Sequence, residues 1–313
     1  MGSSYRAPKG TKDILPDETA RWQHVERVAR ELLATYRYAE IRTPIFEALD
    51  LFARGVGEHT DIVSKEMYTF SRKGEREDEQ LFALRPENTA GVARAYVEHK
   101  LYAEPAPQKL WYLGPMFRYE RPQAGRQRQF HQLGVECLGS EDARWDAECI
   151  VMAVDMLERL AVGGLEVQLN SVGCESCRPA YRERLQAHLR AHEAGLCQSC
   201  VVRTEKNPLR VLDCKVPACA PVIEAAPPLS EGLCEACRDA LDTVSHLLGV
   251  AGLPYRINAR LVRGLDYYTR TVFEIVAETG LGSQNTVLAG GRYNKLVEEV
   301  GGPPTPGVGW AMG

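Results

Sequence analysis

The densest polar constellation in the chain is Phe117-Arg118-Tyr119-Glu120-Arg121, followed by Arg126, Arg128, Phe130, Gln132 and Glu136. Four arginines within eleven residues, set among aromatic side chains, suit a phosphate-rich ligand. A guanidinium forks phosphate oxygens, and an aromatic face stacks on a base. Downstream, Gln132, Gly134 and Glu136 alternate at period two and so share one face of a strand. Two hydrogen-bonding side chains then flank a glycine that leaves room for a ligand at the backbone.

A second chemistry-bearing group is made of cysteines. Eight of the ten lie between Gly173 and Gly252, as the pairs Cys174/Cys177, Cys197/Cys200, Cys214/Cys219 and Cys234/Cys237. Two C-x-x-C pairs brought together form a tetrahedral zinc site with four thiolate ligands. Cys197, Cys200, Cys234 and Cys237 are the candidate ligands, and eight clustered cysteines have the capacity for two sites. The alternative is a reduced, cysteine-rich helical insertion without metal. Other nucleotide motifs are excluded: there is no Walker-type G-x-x-x-x-G-K-[ST], and Gly301-Gly302 followed by Pro303-Pro304 cannot open a helix as a dinucleotide fingerprint requires.

Composition bounds what can surround these residues. The length of 313 residues is about twice that of a common domain, so one large domain or one with an insertion is expected. At 44% hydrophobic and 26% charged residues, with no long apolar run, the chain is globular and has no membrane span. A net charge of −4 confines any nucleic-acid contact to a local basic patch. The N-terminal residues lack the apolar core of a signal peptide, so a cytoplasmic protein is expected.

The elements that must position the two groups can be read from periodicity. An apolar stripe of Trp22, Val25, Val28, Ala29, Leu32, Leu33 and Tyr36 predicts a helix from Asp17, with Asp17 as its N-cap. Ile41 to Phe46 reads as an extended segment in which Pro44 marks an edge or a subunit boundary. The charged run Ser71 to Gln80 reads as a solvated loop, and Thr89 to His99 as a helix. Leu110 to Tyr119 and Phe130 to Leu138 form an antiparallel hairpin with an oversized, arginine-laden connection. A helix at Asp142 to Leu160 and a strand at Leu165 to Asn170 follow. The cysteine-rich stretch holds helices near Pro179 to His192 and Ala236 to Leu248. Strands then return at Tyr255 to Val262, Tyr267 to Val276 and Thr286 to Ala289, before a glycine- and proline-rich tail from Gly301. Tyr267 and Tyr268, as neighbours in a strand, would face opposite sides.

The segment GPMFRYERPQAGRQRQFHQLGVECLG at 114 to 139 resembles motif 2 of class II aminoacyl-tRNA synthetases, in the form typical of the histidyl-tRNA synthetase family. GTKDILP at 10 to 16 resembles the family's N-terminus, and Arg42-Thr43-Pro44 the end of motif 1 at its dimer interface. LRPENTAG at 84 to 91, RGLDYYTRTVFE at 263 to 274 and AGGRYNKL at 289 to 296 resemble its histidine-site signatures. Gly307 to Gly313 resembles the start of motif 3. The resemblance implies that the remainder of that motif and the family's anticodon-binding domain lie outside this sequence.

The resemblance implies an α+β fold, an antiparallel β-sheet flanked by helices, with a catalytic domain in two parts (1–171 and 253–313) around a mainly helical insertion at 172–252. It further implies that Glu87, Thr89, Gln132 and the backbone of Asn88 hold the α-amino group of L-histidine, while Glu136 and Tyr268, beside Tyr267, address the imidazole. An ammonium calls for a carboxylate and neutral acceptors, and imidazole for a paired donor and acceptor. Arg118 and Arg263 would grip the α-phosphate of ATP and the amino-acid carboxylate. Arg126 would serve ATP, Glu120 would be the acid that faces its metal or its adenine, Phe130 would stack on adenine, and Tyr293 would stand beside glycines that a nucleotide approaches. Asn88 occupies a position where many family members have glycine, which raises the question of a left-handed backbone there. The activity implied is ligation of histidine to tRNA(His) by a homodimer. Two alternatives remain: the regulatory paralogue that partners ATP phosphoribosyltransferase, which departs from the synthetase at these signatures, and a zinc-dependent nucleic-acid-binding module, which leaves the histidine signatures unexplained.

Overall fold

The computed structural model describes residues 5–57, 60, 62–71, 81–120, 126–277 and 285–313. The first half runs α1 (Pro16–Thr35), β1 (Ala39–Glu40), β2 (Phe46–Ala48), α2 (Leu49–Val56), β3 (Thr69–Phe70), β4 (Phe82–Leu84), α3 (Thr89–Glu98), β5 (Gln108–Phe117), β6 (Gln129–Leu138), α4 (Arg144–Arg159) and β7 (Leu165–Ser171). The cysteine-rich stretch contributes α5 (Arg178–Ala191), α6 (Gln198–Lys206), α7 (Ala220–Glu224) and α8 (Glu235–Val250). The chain closes with β8 (Tyr255–Ile257), β9 (Thr269–Ala277), β10 (Thr286–Arg292), α9 (Leu296–Glu299) and β11 (Gly307–Met312). The charged run expected as a loop at 71–80 lies, except for Ser71, outside the described residues.

Among the described residues the main sheet has the order β1-β5-β6-β11-β10-β9-β7-β8, and a small sheet has the order β2-β4-β3. The centre of the main sheet is antiparallel as expected, while its edges, β1 on β5 and β8 on β7, are parallel. The expected hairpin is present as the β5–β6 ladder, in register from Gln108↔Leu138 to Phe117↔Gln129.

Strand alternation sorts the two faces of this sheet. Leu133, Val135 and Cys137 of β6 join Val308 and Trp310 of β11 in a core covered by α1, α4 and the end of α8. Fully buried Leu32, Leu33, Ile150 and Met156 anchor the helices there. Burying each such side chain contributes about 1.5–3 kcal/mol. The intervening residues Gln132, Gly134 and Glu136 point to the other face, which α3 and the insertion cover.

Four local expectations differ. Pro16 opens α1 at its first turn and Leu15 is the N-cap, with no side-chain bond, so Asp17 lies inside the first turn. There its charge opposes the helix dipole without capping it. Residues 42–45 form no strand: Pro44 has no N–H to offer a ladder, and the carbonyls of Thr43 and Pro44 accept from Arg85 Nη1 at 3.1 and 3.4 Å instead. The strand expected to run to Val262 stops at Ile257. The glycine-rich tail contains β11, which lies mid-sheet between β6 and β10. Helix α8 begins at the cysteines, and its far end, through Val244 and Leu248, is packed into the main core against α4.

Candidate functional site

Glu136 is 1% exposed, and Tyr293 donates its hydroxyl hydrogen to Glu136 Oε2. Glu136 Oε1 has no hydrogen-bond partner among the described residues. Burial pushes this carboxyl from 4.5 up to about 8, and the nearby charge of Glu87 adds to the shift, against the opposition of Tyr293 and Thr89. Space for the side chain depends on glycine: a Cβ on Gly309, its register partner in β11, would collide with Glu136 Oε2 and the Val135 carbonyl. Gly134 plays the same part for Tyr112, whose ring and hydroxyl a Cβ would strike. Sequence reasoning passed over Tyr112, though its place opposite Gly134 in the hairpin register was open to view.

The expected α-amino residues Glu87, Asn88 and Thr89 stand at the start of α3. Glu87 is buried and accepts from the backbone N–H of Thr89 at 2.7 Å and of Ala90 at 3.0 Å, so it caps the helix that follows it. Burial raises its pKa, opposed by those two N–H groups and by the charge of Arg118. Asn88 has φ −125°, ψ −4°, so the left-handed backbone in question does not arise. Its side chain faces the scaffold, where Oδ1 accepts from Thr43 Oγ1 and from Arg85 Nη1 at 3.4 Å. Arg85, not singled out in the sequence, is 6% exposed and also bonds the Pro115 carbonyl at 2.9 Å. It thereby ties the 43–44 segment, β5 and α3 into one frame. Gln132 lies on the Glu136 face of β6, and its Oε1 is buried without a partner.

Tyr267 and Tyr268 are both buried, with ring centroids 4.7 Å apart, and both sense the charges of Glu136 and Glu87. The expectation that they face opposite sides of a strand fails because β9 begins only at Thr269. Tyr293 also departs from its expected place beside ATP. It is 2% exposed, its hydroxyl is committed to Glu136, and its ring meets Tyr267 edge-on at 5.6 Å. It belongs with the group around Glu136.

Arg118 Nε donates to the Pro86 carbonyl at 2.9 Å, and its guanidinium lies over the Phe130 ring at 5.2 Å. Burial lowers its pKa, while Glu120, Glu66 and Glu87 act in the other direction. Glu120 Oε2 accepts from Arg126 Nη1 at 2.8 Å, and Arg128 stacks on Tyr119 at 4.2 Å. Arg263 is paired with Glu274, which also accepts from Thr286 Oγ1 at 3.2 Å. Glu274 sits in the quoted signature, but only the fold shows that it faces Arg263. Arg263 and Tyr268 line one wall of a cavity of about 290 Å³, and Arg178, Lys206 and Arg210 of the cysteine-rich stretch line the other. Arg210 Nη1 also donates to the Arg263 carbonyl at 3.0 Å.

The cysteines assemble differently from the expected set of Cys197, Cys200, Cys234 and Cys237. Cys174 and Cys177 come together with Cys234 and Cys237, and Cys197 and Cys200 with Cys214 and Cys219. The chain reverses between α5 and α8 so that the first and last pairs meet at the base of the insertion, and the two middle pairs meet farther along it.

Known proteins share this sequence and this fold. The histidyl-tRNA synthetase family profile matches residues 10–313. A histidine–tRNA ligase of Desulfitobacterium hafniense is 55% identical over 310 residues, 99% of this chain and 72% of that protein. One from Anaeromyxobacter sp. is 55% identical over 305 residues, covering 97% and 72%. The crystal structure of apo histidyl-tRNA synthetase from S. aureus superposes with a TM-score of 0.79 at 38% identity, over 99% of this chain and 71% of that one. A structure described as an ATP phosphoribosyltransferase regulatory subunit/histidyl-tRNA synthetase from Bacillus halodurans shares the fold, with a TM-score of 0.71 at 21% identity. With the family profile spanning nearly its whole length and relatives above half identity, the chain belongs to the histidyl-tRNA synthetase family.

Proposed function

We propose that this chain activates L-histidine with ATP and transfers it to the 3′ end of tRNA(His). The observation that carries the reading is a set of buried polar atoms without partners among the described residues: Gln132 Oε1, Glu136 Oε1 and Arg263 Nε. Each such atom costs about 1–3 kcal/mol unless a ligand satisfies it. A small molecule with an ammonium, an imidazole and a carboxylate meets these needs at once. Glu87, Thr89 and Gln132 take the ammonium. Glu136 and the tyrosines around it take the ring, and Arg263 takes the carboxylate.

Arg118 and Arg263 bring two anions together, so that the carboxylate oxygen attacks the α-phosphorus and pyrophosphate leaves. Fixed cations supply both orientation and charge stabilisation for that step. In the second step a ribose hydroxyl of the terminal adenosine attacks the histidyl carbonyl, and AMP leaves. ATP brings Mg2+, for which the Glu120 carboxylate offers the hard oxygen ligand that this ion takes. Phe130 offers the adenine a stacking face. Zn2+ has no place in this chemistry, and its role in the insertion is structural.

The proposal includes the division into a catalytic body (1–171 and 253–313) and an insertion domain (172–252), a homodimer joined near Arg42-Thr43-Pro44, and a cytoplasmic location. No described helix is long and apolar enough to cross a membrane. Histidine-dependent exchange of labelled pyrophosphate into ATP, followed by charging of tRNA(His), tests the reading. Exchange with histidine and not with other amino acids supports it. Histidine binding with no exchange would transfer the chain to the regulatory alternative.

A further inference from the structure

We propose that the cysteine-rich stretch holds two separate structural Zn2+ ions, one in the quartet Cys174, Cys177, Cys234 and Cys237 and the other in the quartet Cys197, Cys200, Cys214 and Cys219. In each quartet all four sulfurs lie within 4.8 Å of one another. The closest Sγ···Sγ separations are 3.8 Å (Cys174 to Cys177), 3.7 Å (Cys174 to Cys234) and 3.9 Å (Cys177 to Cys237) in the first, and 3.9 Å (Cys197 to Cys214) in the second. A tetrahedron with the usual Zn–S bond of about 2.3 Å has an edge of about 3.8 Å. A disulfide would need sulfurs at about 2.0 Å, and all eight thiols are free.

Backbone N–H groups already point at the sulfurs, as they do where thiolate charge must be shared. Cys174 N–H donates to Cys177 Sγ at 3.2 Å, Cys197 N–H to Cys219 Sγ at 3.1 Å and Val216 N–H to Cys214 Sγ at 3.4 Å. Soft sulfur donors in tetrahedral fours select zinc over the hard cations that ATP carries. All four ligand positions are filled by protein, which makes each site structural and leaves no place for a reacting water.

The placement gives each ion a distinct task. The first quartet joins the two crossings between body and insertion, directly after β7 and at the start of α8. It also fixes Arg178, whose guanidinium donates to the carbonyls of Val172, Gly173 and Tyr268. The second quartet holds α6 against the following loop, and that loop presents Arg210 to the Arg263 carbonyl and Asn207 to Asp266 at 2.8 Å. Neither ion touches substrate, so both act by positioning the wall that faces Arg263 and Tyr268.

The test begins with the native protein purified without chelator. Elemental analysis should find two zinc ions per chain, and X-ray absorption at the zinc edge should find four sulfurs per ion at about 2.3 Å. Fewer than two metals, iron in place of zinc, or a nitrogen or oxygen ligand in the shell would overturn the assignment. The pairing is read from Cys174→Ser/Cys234→Ser and Cys174→Ser/Cys197→Ser. The first should lose one zinc and keep the other with four sulfurs, and the second should lose both. Loss of both from Cys174→Ser/Cys234→Ser, in protein that keeps its helical circular dichroism, would overturn the pairing. If the variants fail to fold, stepwise chelation of the native protein followed by alkylation and peptide mapping replaces them. Each quartet should then lose its protection as a set, and any other grouping, including release of all eight thiols together, rejects two independent sites.

Discussion

The Tyr293 hydroxyl donates to Glu136 Oε2 in the interior of the site, so the acid proposed to face the imidazole has one oxygen committed and the other open among the described residues. With its pKa raised to about 8, the Glu136 carboxyl carries a proton at neutral pH. It can then donate to an imidazole nitrogen through Oε1. Free imidazole loses its own proton near 6.5.

The complex therefore holds one proton between Glu136 and the ring, and affinity for histidine should be greatest between about pH 6.5 and about 8. It should fall on both sides, by about tenfold per pH unit at the limit. Glu136→Gln, whose amide stays a donor, should lose the alkaline limb. Calorimetry across this range checks it, and an unchanged alkaline limb in the variant would remove the assignment.

The same shift has a consequence for stability. The folded pKa lies above the ordinary 4.5, so the contribution of Glu136 to stability is fully present below about 4.5 and is lost as pH rises to about 8. Glu136→Gln should therefore gain relative to the parent as pH is raised through this window, measured by urea unfolding.

Arg263 is held by Glu274, and its loss removes a cation from the place proposed for the meeting of carboxylate and phosphate. Arg263→Ala should lower pyrophosphate exchange by about two to three powers of ten. Glu274→Gln leaves the charge in place but frees its aim, so the expected loss is smaller and falls on kcat more than on KM for histidine. Equal damage by both variants would show that the pair acts as one structural unit.

Phe130 now carries the Arg118 guanidinium at 5.2 Å and is the expected seat of adenine. Stacking on a base contributes about 1–3 kcal/mol. Phe130→Ala should raise KM for ATP by about 5- to 150-fold, with the affinity for histidine unchanged, whereas Phe130→Tyr should retain most of the parent behaviour. Steady-state exchange at varied ATP distinguishes them.

Arg292 and Asp146 form a buried ion pair, 1% and 0% exposed, and Arg292 Nη1 also bonds the Ser140 carbonyl at 2.8 Å. The pair ties β10 to the start of α4. Removing one partner strands the other charge in the core, so Asp146→Ala should cost about 3–5 kcal/mol. Denaturant unfolding should show that loss, while histidine affinity in the remaining folded protein stays as before.

The sequence by itself determined the hairpin of β5 and β6, helices α1, α3 and α4, and the shared face of Gln132 and Glu136, because each rests on a period of two or 3.6 along one segment. The motifs around Arg118, Glu87 and Arg263 were legible through their resemblance to a family's signatures, whose residues stand close together in the chain. Tertiary structure alone decided what depends on distant partners. The C-x-x-C spacing identified the cysteine pairs, but which pairs meet follows from how α5 to α8 fold back. Tyr293 meets Glu136 because β10 lies one strand away from β6, across β11. Gly307 and Gly309 disguised β11 as a tail, since their lack of side chains broke the strand pattern. They are glycines because Tyr293 and Glu136 occupy the space where a Cβ would stand. A neighbour supplied by another strand leaves no mark on local periodicity, and only packing makes it visible.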